Sequence, residues 1–421
     1  MPNIQDILAR VTRDELIDIV SELVAIPSFK GEETPLALHV AAWCKARGYD
    51  VELDEVEPGR MQVIATLKGT GGGRSLMFNG HLDINSLTRG WERDPWTCWV
   101  EGDRLYGHGA QNMKGGLGTF MVAAEAVRRS GVPLAGDLVL AFVVGETQGG
   151  EGMHHLMERG FRTDMAVITE PFGADNIATI HSGIMHFAIH VIGRSGHLSQ
   201  RENTVHAVNK MALVLQRLEH MSFTAAPYPP LPALPRLNVG SILGGRGEHY
   251  LSEPPYVPDM CTIVVDVHFV PGQSVESVLA DVQRELDAIK AEDPDFVSSI
   301  EMPPPAFIKG RRRLVMEPVD VAQGADIVQS LANSYKIITG KPPAQIGAIL
   351  PASYSACDTA WLCKAGISAV NYGPTAAFAA AGPEGAYVVI SEMETVAKVL
   401  ALTAVDVCNS TQPSGSAQAL G

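Results

Sequence analysis

The stretch Ser75-Leu76-Met77-Phe78-Asn79-Gly80-His81-Leu82-Asp83-Ile84 decides how this chain of 421 residues is interpreted. Its first half is apolar and predicts a buried strand. Residues at i and i+2 of a strand point to the same face, so His81 and Asp83 would lie side by side where the strand ends. An imidazole that binds metal through one nitrogen needs its other N–H held, and Asp83 can accept it. The stretch predicts part of a metal site, with a buried, hydrogen-bonded histidine beside a turn as the simpler interpretation.

Three further stretches place polar residues where apolar runs or glycine turns end. They are Gly107-His108-Gly109-Ala110-Gln111-Asn112-Met113-Lys114-Gly115-Gly116, then Gly145-Glu146-Thr147-Gln148-Gly149-Gly150-Glu151-Gly152, then Val167-Ile168-Thr169-Glu170-Pro171. In an open α/β sheet, the loops at the carboxyl ends of the strands form the ligand crevice. We therefore expect the polar residues of all four stretches to meet at one sheet edge.

Composition narrows the class of protein. A chain of 421 residues exceeds what one hydrophobic core usually serves, so two domains are expected. The formal net charge of -15 leaves no basic stripe for a phosphate backbone, which argues against nucleic acid as a partner. Neither a secretory signal nor an apolar run of the ~20 residues that span a bilayer is found, so we expect a cytoplasmic protein without a membrane partner. The six cysteines lack CxxC spacing and predict buried thiols rather than disulfides.

The pattern of helices and strands predicts the domain organisation. Alternating helical and strand patterns over residues 1–177 and again over 311–408 are typical of a layered α/β domain. Between them, residues 178–310 follow the order strand, helix, strand, strand, helix, which predicts an inserted α+β domain. Residues 409–421 are rich in Ser, Gln, Pro and Gly and predict a disordered tail.

Together the four stretches resemble the metallohydrolase family that includes acetylornithine deacetylase, succinyl-diaminopimelate desuccinylase and the glutamate-releasing carboxypeptidases. The resemblance covers nearly the whole chain. It implies a layered α/β catalytic domain with an inserted lid that dimerises, hence a homodimer through the lid or a larger assembly of dimers. Family members bind two metal ions that share an aspartate. By motif position, His81 and Glu170 match the remaining ligands of one ion, and Glu146 matches the catalytic base.

The sequence departs from the family pattern at three ligand positions. Asn112 stands at the shared aspartate, Thr147 at the glutamate that follows the base, and Gly382 at the carboxyl-terminal histidine. No histidine occurs after position 268. An asparagine carbonyl can coordinate a divalent ion, more weakly than a carboxylate does. The resemblance thus implies a site for one weakly bound Mn, Zn, Co or Fe ion, with the ligands His81, Asn112 and Glu170.

Residues of the expected lid complete the candidate site. His197 matches a lid histidine that polarises the substrate across the family dimer, with an ordinary loop histidine as the alternative. Asn238 matches a lid motif position. His268 stands where relatives carry an arginine for the substrate carboxylate. Asn238 and His268 are therefore candidate substrate-binding residues, and the candidate catalytic residues are Glu146, Asp83 and His197. Asp358 matches a family loop, and helix capping is its simpler interpretation.

The expected reaction is hydrolysis of a C–N bond in a small carboxylate substrate. The metal would activate water, while Glu146 would remove a proton and return it to the leaving nitrogen. The loss of one metal site and of the substrate arginine favours the single-metal activity known in this family from 5-nitroanthranilate aminohydrolase, which releases 5-nitrosalicylate and ammonia. The alternatives are an amide deacylase or peptidase of the acetylornithine deacetylase or succinyl-diaminopimelate desuccinylase type, and a non-catalytic binding relative.

Overall fold

The computed structural model describes residues 4–308, 312–375 and 382–411. Of the predicted disordered tail, residues 412–421 lie outside this range. Among the described residues no helix is long and apolar enough to cross a membrane. In chain order the strands are β1 (Asp50–Glu57), β2 (Arg60–Leu67), β3 (Leu76–His81), β4 (Trp99–Glu101), β5 (Arg104–Tyr106), β6 (Leu138–Val143), β7 (Met165–Ile168), β8 (Asn176–His181), β9 (Gly183–Ile192), β10 (Arg236–Gly245), β11 (Met260–Phe269), β12 (Val297–Glu301), β13 (Val319–Asp320), β14 (Gln345–Ala348), β15 (Ser368–Asn371) and β16 (Tyr387–Val389). The α-helices are α1 (Ile4–Leu8), α2 (Arg13–Val24), α3 (Thr34–Ala46), α4 (Gly115–Ser130), α5 (Glu151–Glu158), α6 (Ala207–His220), α7 (Val275–Glu292), α8 (Asp326–Thr339), α9 (Thr359–Lys364) and α10 (Ile390–Cys408).

The larger of two compact units spans Met1–Ile180, Val319–Ser353 and Cys357–Gly421. Its main sheet has the strand order β1-β2-β6-β3-β7-β15-β8-β13, with β14 paired to β8. The four central strands β6, β3, β7 and β15 run parallel, whereas β1 and β2 are antiparallel at one edge. Strands β3, β6 and β7 are buried at every residue, as expected for parallel strands covered on both faces.

Helices of the larger unit form because apolar residues recur at helical spacing and the ends are capped. In α2 the Thr12 side chain accepts a hydrogen bond from the Glu15 amide, and the buried residues follow a three- and four-residue spacing. Helix α4 ends at Gly131, whose left-handed conformation suits glycine. Helix α10 packs against α4 and α8, and these helices share one hydrophobic core with the sheet.

The smaller unit spans His181–Pro318 and Tyr354–Ala356. It is a four-stranded antiparallel sheet in the order β10-β11-β9-β12, with α6 packed against β9, β10 and β11 and α7 packed against α6. Its core is separate from that of the larger unit. The predicted fold class is confirmed: a layered α/β unit is interrupted by an α+β insertion. The sequence predicts this insertion at 178–310. It does not predict that the short segment Tyr354–Ala356 also belongs to the smaller unit.

Candidate metal centre

Three neighbouring parallel strands bring the central side chains together. His81 ends β3 and pairs in register with Val143, the last residue of β6. Glu146 follows three residues after β6, and Glu170 follows two residues after β7. Because parallel strands end at the same edge of a sheet, the three side chains converge there without any long connection.

Distances within this cluster are short. The ligand atoms of His81, Glu146 and Glu170 lie within 4.8 Å of one another, and all three residues are buried. His81 Nε2 lies 3.5 Å from Glu170 Oε1 and 2.8 Å from Asn112 Oδ1. The sequence-predicted ligands His81, Asn112 and Glu170 are thus brought together, and Glu146 lies within the same cluster.

Asp83 holds the histidine differently from the sequence expectation. His81 Nδ1 lies 2.8 Å from the backbone oxygen of Asp83, whereas the Asp83 carboxylate is 3.6 Å away. The expectation that this carboxylate takes the imidazole N–H is therefore wrong, because the strand ends at His81 and the same-face rule no longer applies. The Asp83 carboxylate accepts instead from the Glu146 amide at 3.0 Å, the Thr147 amide at 3.1 Å and the Thr147 hydroxyl at 2.5 Å.

These contacts give Thr147 a structural role in the loop that carries Glu146. Thr147, which is predicted from the sequence to stand at a family metal-ligand position, uses its hydroxyl to bind Asp83 and so fixes the start of the loop that carries Glu146. A threonine hydroxyl is also a poor ligand for a divalent transition metal compared with a carboxylate. Among the described residues, the cluster of His81, Glu146 and Glu170 is the single group of three or more histidine, cysteine or acidic side chains placed to hold an ion.

The cluster gathers buried carboxyl groups around the His81 imidazole. Burial disfavours the imidazolium, but Asp83 and Glu170 outweigh it and raise the pKa of His81 to about 10. Burial raises the pKa of Glu170 to about 7 although His81 opposes the rise. The pKa of Asp83 lies below its usual range: burial opposes this shift, and His81 and the Thr147 donors outweigh burial. A histidine ligand must be neutral, so an ion held here would replace the His81 proton.

The donor set fits a divalent transition metal. One imidazole nitrogen, one carboxylate and one amide oxygen match the ligands of Mn, Zn, Co or Fe ions. Asn112 has extended backbone angles in the turn before α4, which aim its side chain at His81. Burial favours binding as well, because a divalent cation neutralises carboxylates that have been removed from water.

A buried cluster of charged side chains, centred on Arg60, supports the loop that carries Glu146. The Arg60 guanidinium donates to Glu33 at 3.0 Å, to Glu151 at 2.7 Å and to the Gln148 side chain at 2.8 Å. The side chains of Arg60, Glu33 and Glu151 are at most 6% exposed. A side chain at Gly145 would collide with Arg60 Nη2, and its φ of +67° also favours glycine. The cluster therefore fixes both ends of this loop.

Replacing Arg60 by methionine is expected to lower the free energy of unfolding by about 3–5 kcal/mol, because two buried carboxylates would lose their shared cation. Denaturant titration followed by circular dichroism measures the change. Arg13→Met is the matched control, since Arg13 pairs with Asp103 at an exposed site and such pairs contribute at most about 1 kcal/mol. An equal effect of both substitutions would contradict the role given to the buried cluster.

Asp358 is a further carboxylate associated with this site. It occupies the position before the first residue of α9 but makes no side-chain capping hydrogen bond, so the capping interpretation is wrong. It is 1% exposed, and neither carboxylate oxygen has a hydrogen-bond partner among the described residues. Leaving a buried acceptor unsatisfied costs roughly 1–3 kcal/mol, which is unusual unless the residue serves another purpose.

His197 belongs to the smaller unit and is exposed. Its Nδ1 accepts a hydrogen bond from the Ser199 amide at 3.2 Å, and its ring packs edge-on against Tyr256. In a neutral ring the proton therefore lies on Nε2, which is the nitrogen able to donate to another molecule. These contacts fix the ring orientation, and the predicted catalytic role remains a prediction.

The two predicted substrate-binding residues also lie in the smaller unit. Asn238 is exposed on β10. His268 on β11 contacts the Tyr354 carbonyl through Nδ1 and the Asp266 carboxylate through Nε2, at 3.3 Å. His186 reaches the other oxygen of Asp266 at 3.1 Å. Although burial opposes it, the two histidines hold the pKa of Asp266 well below its usual range. His268 thus has protein partners at both ring nitrogens.

Comparison with known proteins identifies the family. The model of Peptidase family M20/M25/M40 matches residues 77–406, which is more than half of the chain. The chain belongs to this family. The M20 enzymes are metal-dependent hydrolases of C–N bonds, and the predictions of the family and of this general class of enzyme are confirmed.

Individual relatives of this M20 protein differ in substrate. It is 26% identical over 405 residues to an N-formyl-4-amino-5-aminomethyl-2-methylpyrimidine deformylase of Halalkalibacterium halodurans, covering 88% of this chain and 90% of the relative. It is 29% identical over 280 residues to an acetylornithine deacetylase of Aliivibrio salmonicida, covering 63% of this chain and 68% of that one. In fold it is similar to the dipeptidase Dug1p of Saccharomyces cerevisiae, with a TM-score of 0.76, 11% identity and coverage of 97% of this chain and 100% of that chain.

Proposed function

We propose that this M20 protein uses one divalent metal ion to hydrolyse a C–N bond at an electron-poor carbon of a small carboxylate substrate. The observation that carries the single-ion proposal is Thr147: its hydroxyl is committed to Asp83, at the position where the family pattern has a metal ligand. Asn112 at the shared position is neutral and favours weak, exchangeable binding. His81, Asn112 and Glu170 would hold the ion.

The protein side of the mechanism follows from the cluster. A divalent ion bound by these residues would supply a Lewis acid that activates water. Glu146, buried beside His81 and Glu170, would accept a proton from that water and return it to the leaving nitrogen. Hydrogen bonds from the Glu146 and Thr147 amides to Asp83 fix the backbone of the base. By the family resemblance alone, His197 is proposed to polarise the substrate, and Asn238 and His268 are proposed to bind it.

The first candidate reaction is hydrolytic deamination of an activated aromatic amine, such as 5-nitroanthranilate to 5-nitrosalicylate and ammonia. Water adds its oxygen to the ring carbon, and the C–N bond breaks as the nitrogen takes up the proton. An electron-withdrawing nitro group would accept the negative charge that develops on the ring, so the reaction would need less help from a second cation. The reduced ligand set supports this candidate.

The second candidate is hydrolysis of an amide, with release of a carboxylic acid and an amine. It is favoured by the relatives, since a deformylase and an acetylornithine deacetylase are among the proteins that this chain resembles over most of its length. A homodimer through the smaller unit is proposed for either reaction on the strength of the family resemblance alone.

One titration tests the proposal and separates the two reactions. Metal-free protein is titrated with Mn²⁺, bound metal is measured by elemental analysis, and each sample is assayed with 5-nitroanthranilate and with an N-acetyl amino acid. We expect activity to saturate at one ion per chain, with ammonia released from the aromatic amine. Two ions per chain with amide cleavage would instead mean that second-site ligands had been overlooked and that the protein is an ordinary deacylase.

A further inference from the structure

Helix α9 is attached at its start to the loop that carries Glu146. Trp361 donates its indole N–H to the Gly149 carbonyl at 2.9 Å. Asp358, at the beginning of the helix, lies so close to Gly150 that a β-carbon there would be 2.8 Å from Asp358 Oδ1. Gly150 has a φ of +74°, so glycine at this position both permits the turn and leaves room for the carboxylate.

The same helix start is attached to the strand next to the Glu170 loop. The side chains of Cys357 and Thr359, which flank Asp358 in sequence, both lie 3.1 Å from Asn371 Oδ1. Asn371 ends β15 and pairs with Ile168, the last residue of β7, two residues before Glu170. Asp358 is therefore held from two sides, between the loop of the proposed base and a strand that neighbours the proposed metal ligand.

The Asp358 carboxyl group lacks the partners that such a position would normally supply. Both oxygens are enclosed, and the described residues offer neither of them a hydrogen bond. Burial raises its pKa well above the ordinary value, and the nearby Glu146 adds to the rise. A buried carboxyl group without a protein partner calls for an explanation, and a donor on a bound molecule supplies one.

We propose that Asp358 binds the nitrogen side of the substrate, accepting a hydrogen bond from the N–H of the group whose C–N bond is cut. This inference rests on the proposed function and deepens it. An aromatic amine and a secondary amide both carry an N–H at the nitrogen that leaves, so both candidate reactions supply the missing donor. The substrate class thereby narrows to compounds with at least one hydrogen on that nitrogen.

The geometry of the site favours a nitrogen donor over a further metal ion. Asp358 is not part of the group of ligand atoms within 4.8 Å formed by His81, Glu146 and Glu170. As the C–N bond breaks, the nitrogen takes the proton that Glu146 removed from water and becomes more positive. A carboxyl group beside it stabilises that change. Asp358 itself has no net gain or loss of a proton in the reaction.

Two pairs of probes test the inference, and one member of each pair lacks the N–H donor. Binding to the metal-loaded Glu146→Gln protein, which prevents turnover, is measured by calorimetry for 5-nitroanthranilate and for 3-nitrobenzoate, which lacks the amino group. The second pair is N-acetylglycine and N-acetylsarcosine, whose nitrogen carries no hydrogen. We expect the probe with the N–H to bind about tenfold more tightly in at least one pair. Adding Asp358→Ala should reduce that preference to twofold or less, whereas Asp358→Asn, which keeps one acceptor oxygen, should retain part of it.

Controls separate this role from a structural one. Asp50→Ala, at an exposed aspartate of β1, should leave the preference unchanged. Both Asp358 variants should bind as much metal as the parent, and Asp358→Ala should melt no lower, because an unsatisfied buried carboxyl group is removed. Loss of metal, a preference that survives Asp358→Ala, or absence of any preference or binding in the parent would each overturn the inference. Turnover by the wild-type protein with either substrate class would still support the proposed function in those cases.

Discussion

Replacing Glu146 by glutamine is expected to lower kcat by about 10²- to 10⁴-fold, the usual contribution of a positioned acid or base. Glutamine keeps the size of the side chain and its oxygen acceptor but cannot take a proton from water. Because the Glu146 amide, and not its side chain, holds Asp83, the loop should keep its conformation. Steady-state kinetics of the metal-loaded protein measure the effect.

Glu158→Gln provides the matched control for this experiment. Glu158 lies on the following helix, α5, and its side chain is 75% exposed. The activity of Glu158→Gln should stay within about twofold of the activity of the wild-type protein, as is usual for surface substitutions. Since Glu146 lies within the metal cluster, elemental analysis of Glu146→Gln is needed as well. A loss of metal that accounts for the loss of activity would make Glu146 a ligand and contradict its role as base.

Substitution of His81 by alanine is expected to abolish both metal binding and activity. It removes the one nitrogen ligand and leaves Glu170 and Asn112 without the atom that both approach. The metal affinity should fall by more than the roughly 10- to 100-fold that loss of an outer partner of a ligand costs. Metal affinity is measured by competition with a chromophoric chelator, which does not depend on turnover.

His220→Ala is the control for His81, since His220 is exposed at the end of α6 in the smaller unit. It should bind metal with the affinity of the wild-type protein. Retention of stoichiometric, tight metal by His81→Ala would place the ion elsewhere and refute the proposed ligand set. Free imidazole added to His81→Ala should restore part of the metal binding, because the substitution leaves space for it.

The meeting of His81, Glu146 and Glu170 could be predicted from the sequence because it depends on local patterns. Each residue follows an apolar strand, and parallel strands end at one edge, so knowledge of distant contacts was not required. The same reasoning misplaced the Asp83 carboxylate. The orientation of this carboxylate depends on the backbone amides of Glu146 and Thr147, which lie 63 and 64 residues further along the chain.

The buried contacts that surround the site could not be predicted from local patterns. Arg60 draws its partners Glu33, Gln148 and Glu151 from two other parts of the chain, and a lone arginine in a strand pattern carries no signal of burial. For Asp358 the sequence offered a helix start, and aspartate is common at such positions. That it does not cap the helix is visible only once the flanking residues and the Gly150 turn are placed around it.

The Thr147 hydroxyl has a consequence for how this protein can evolve. Under the family pattern, a second ion requires an acidic residue at position 147, yet that exchange would deprive Asp83 of its shortest hydrogen bond before a second ion was present to compensate. Acidic or histidine substitutions at positions 112 and 382 alone would leave the ligand set incomplete. Introducing a second ion site into the proposed single-ion protein would therefore require several changes at once.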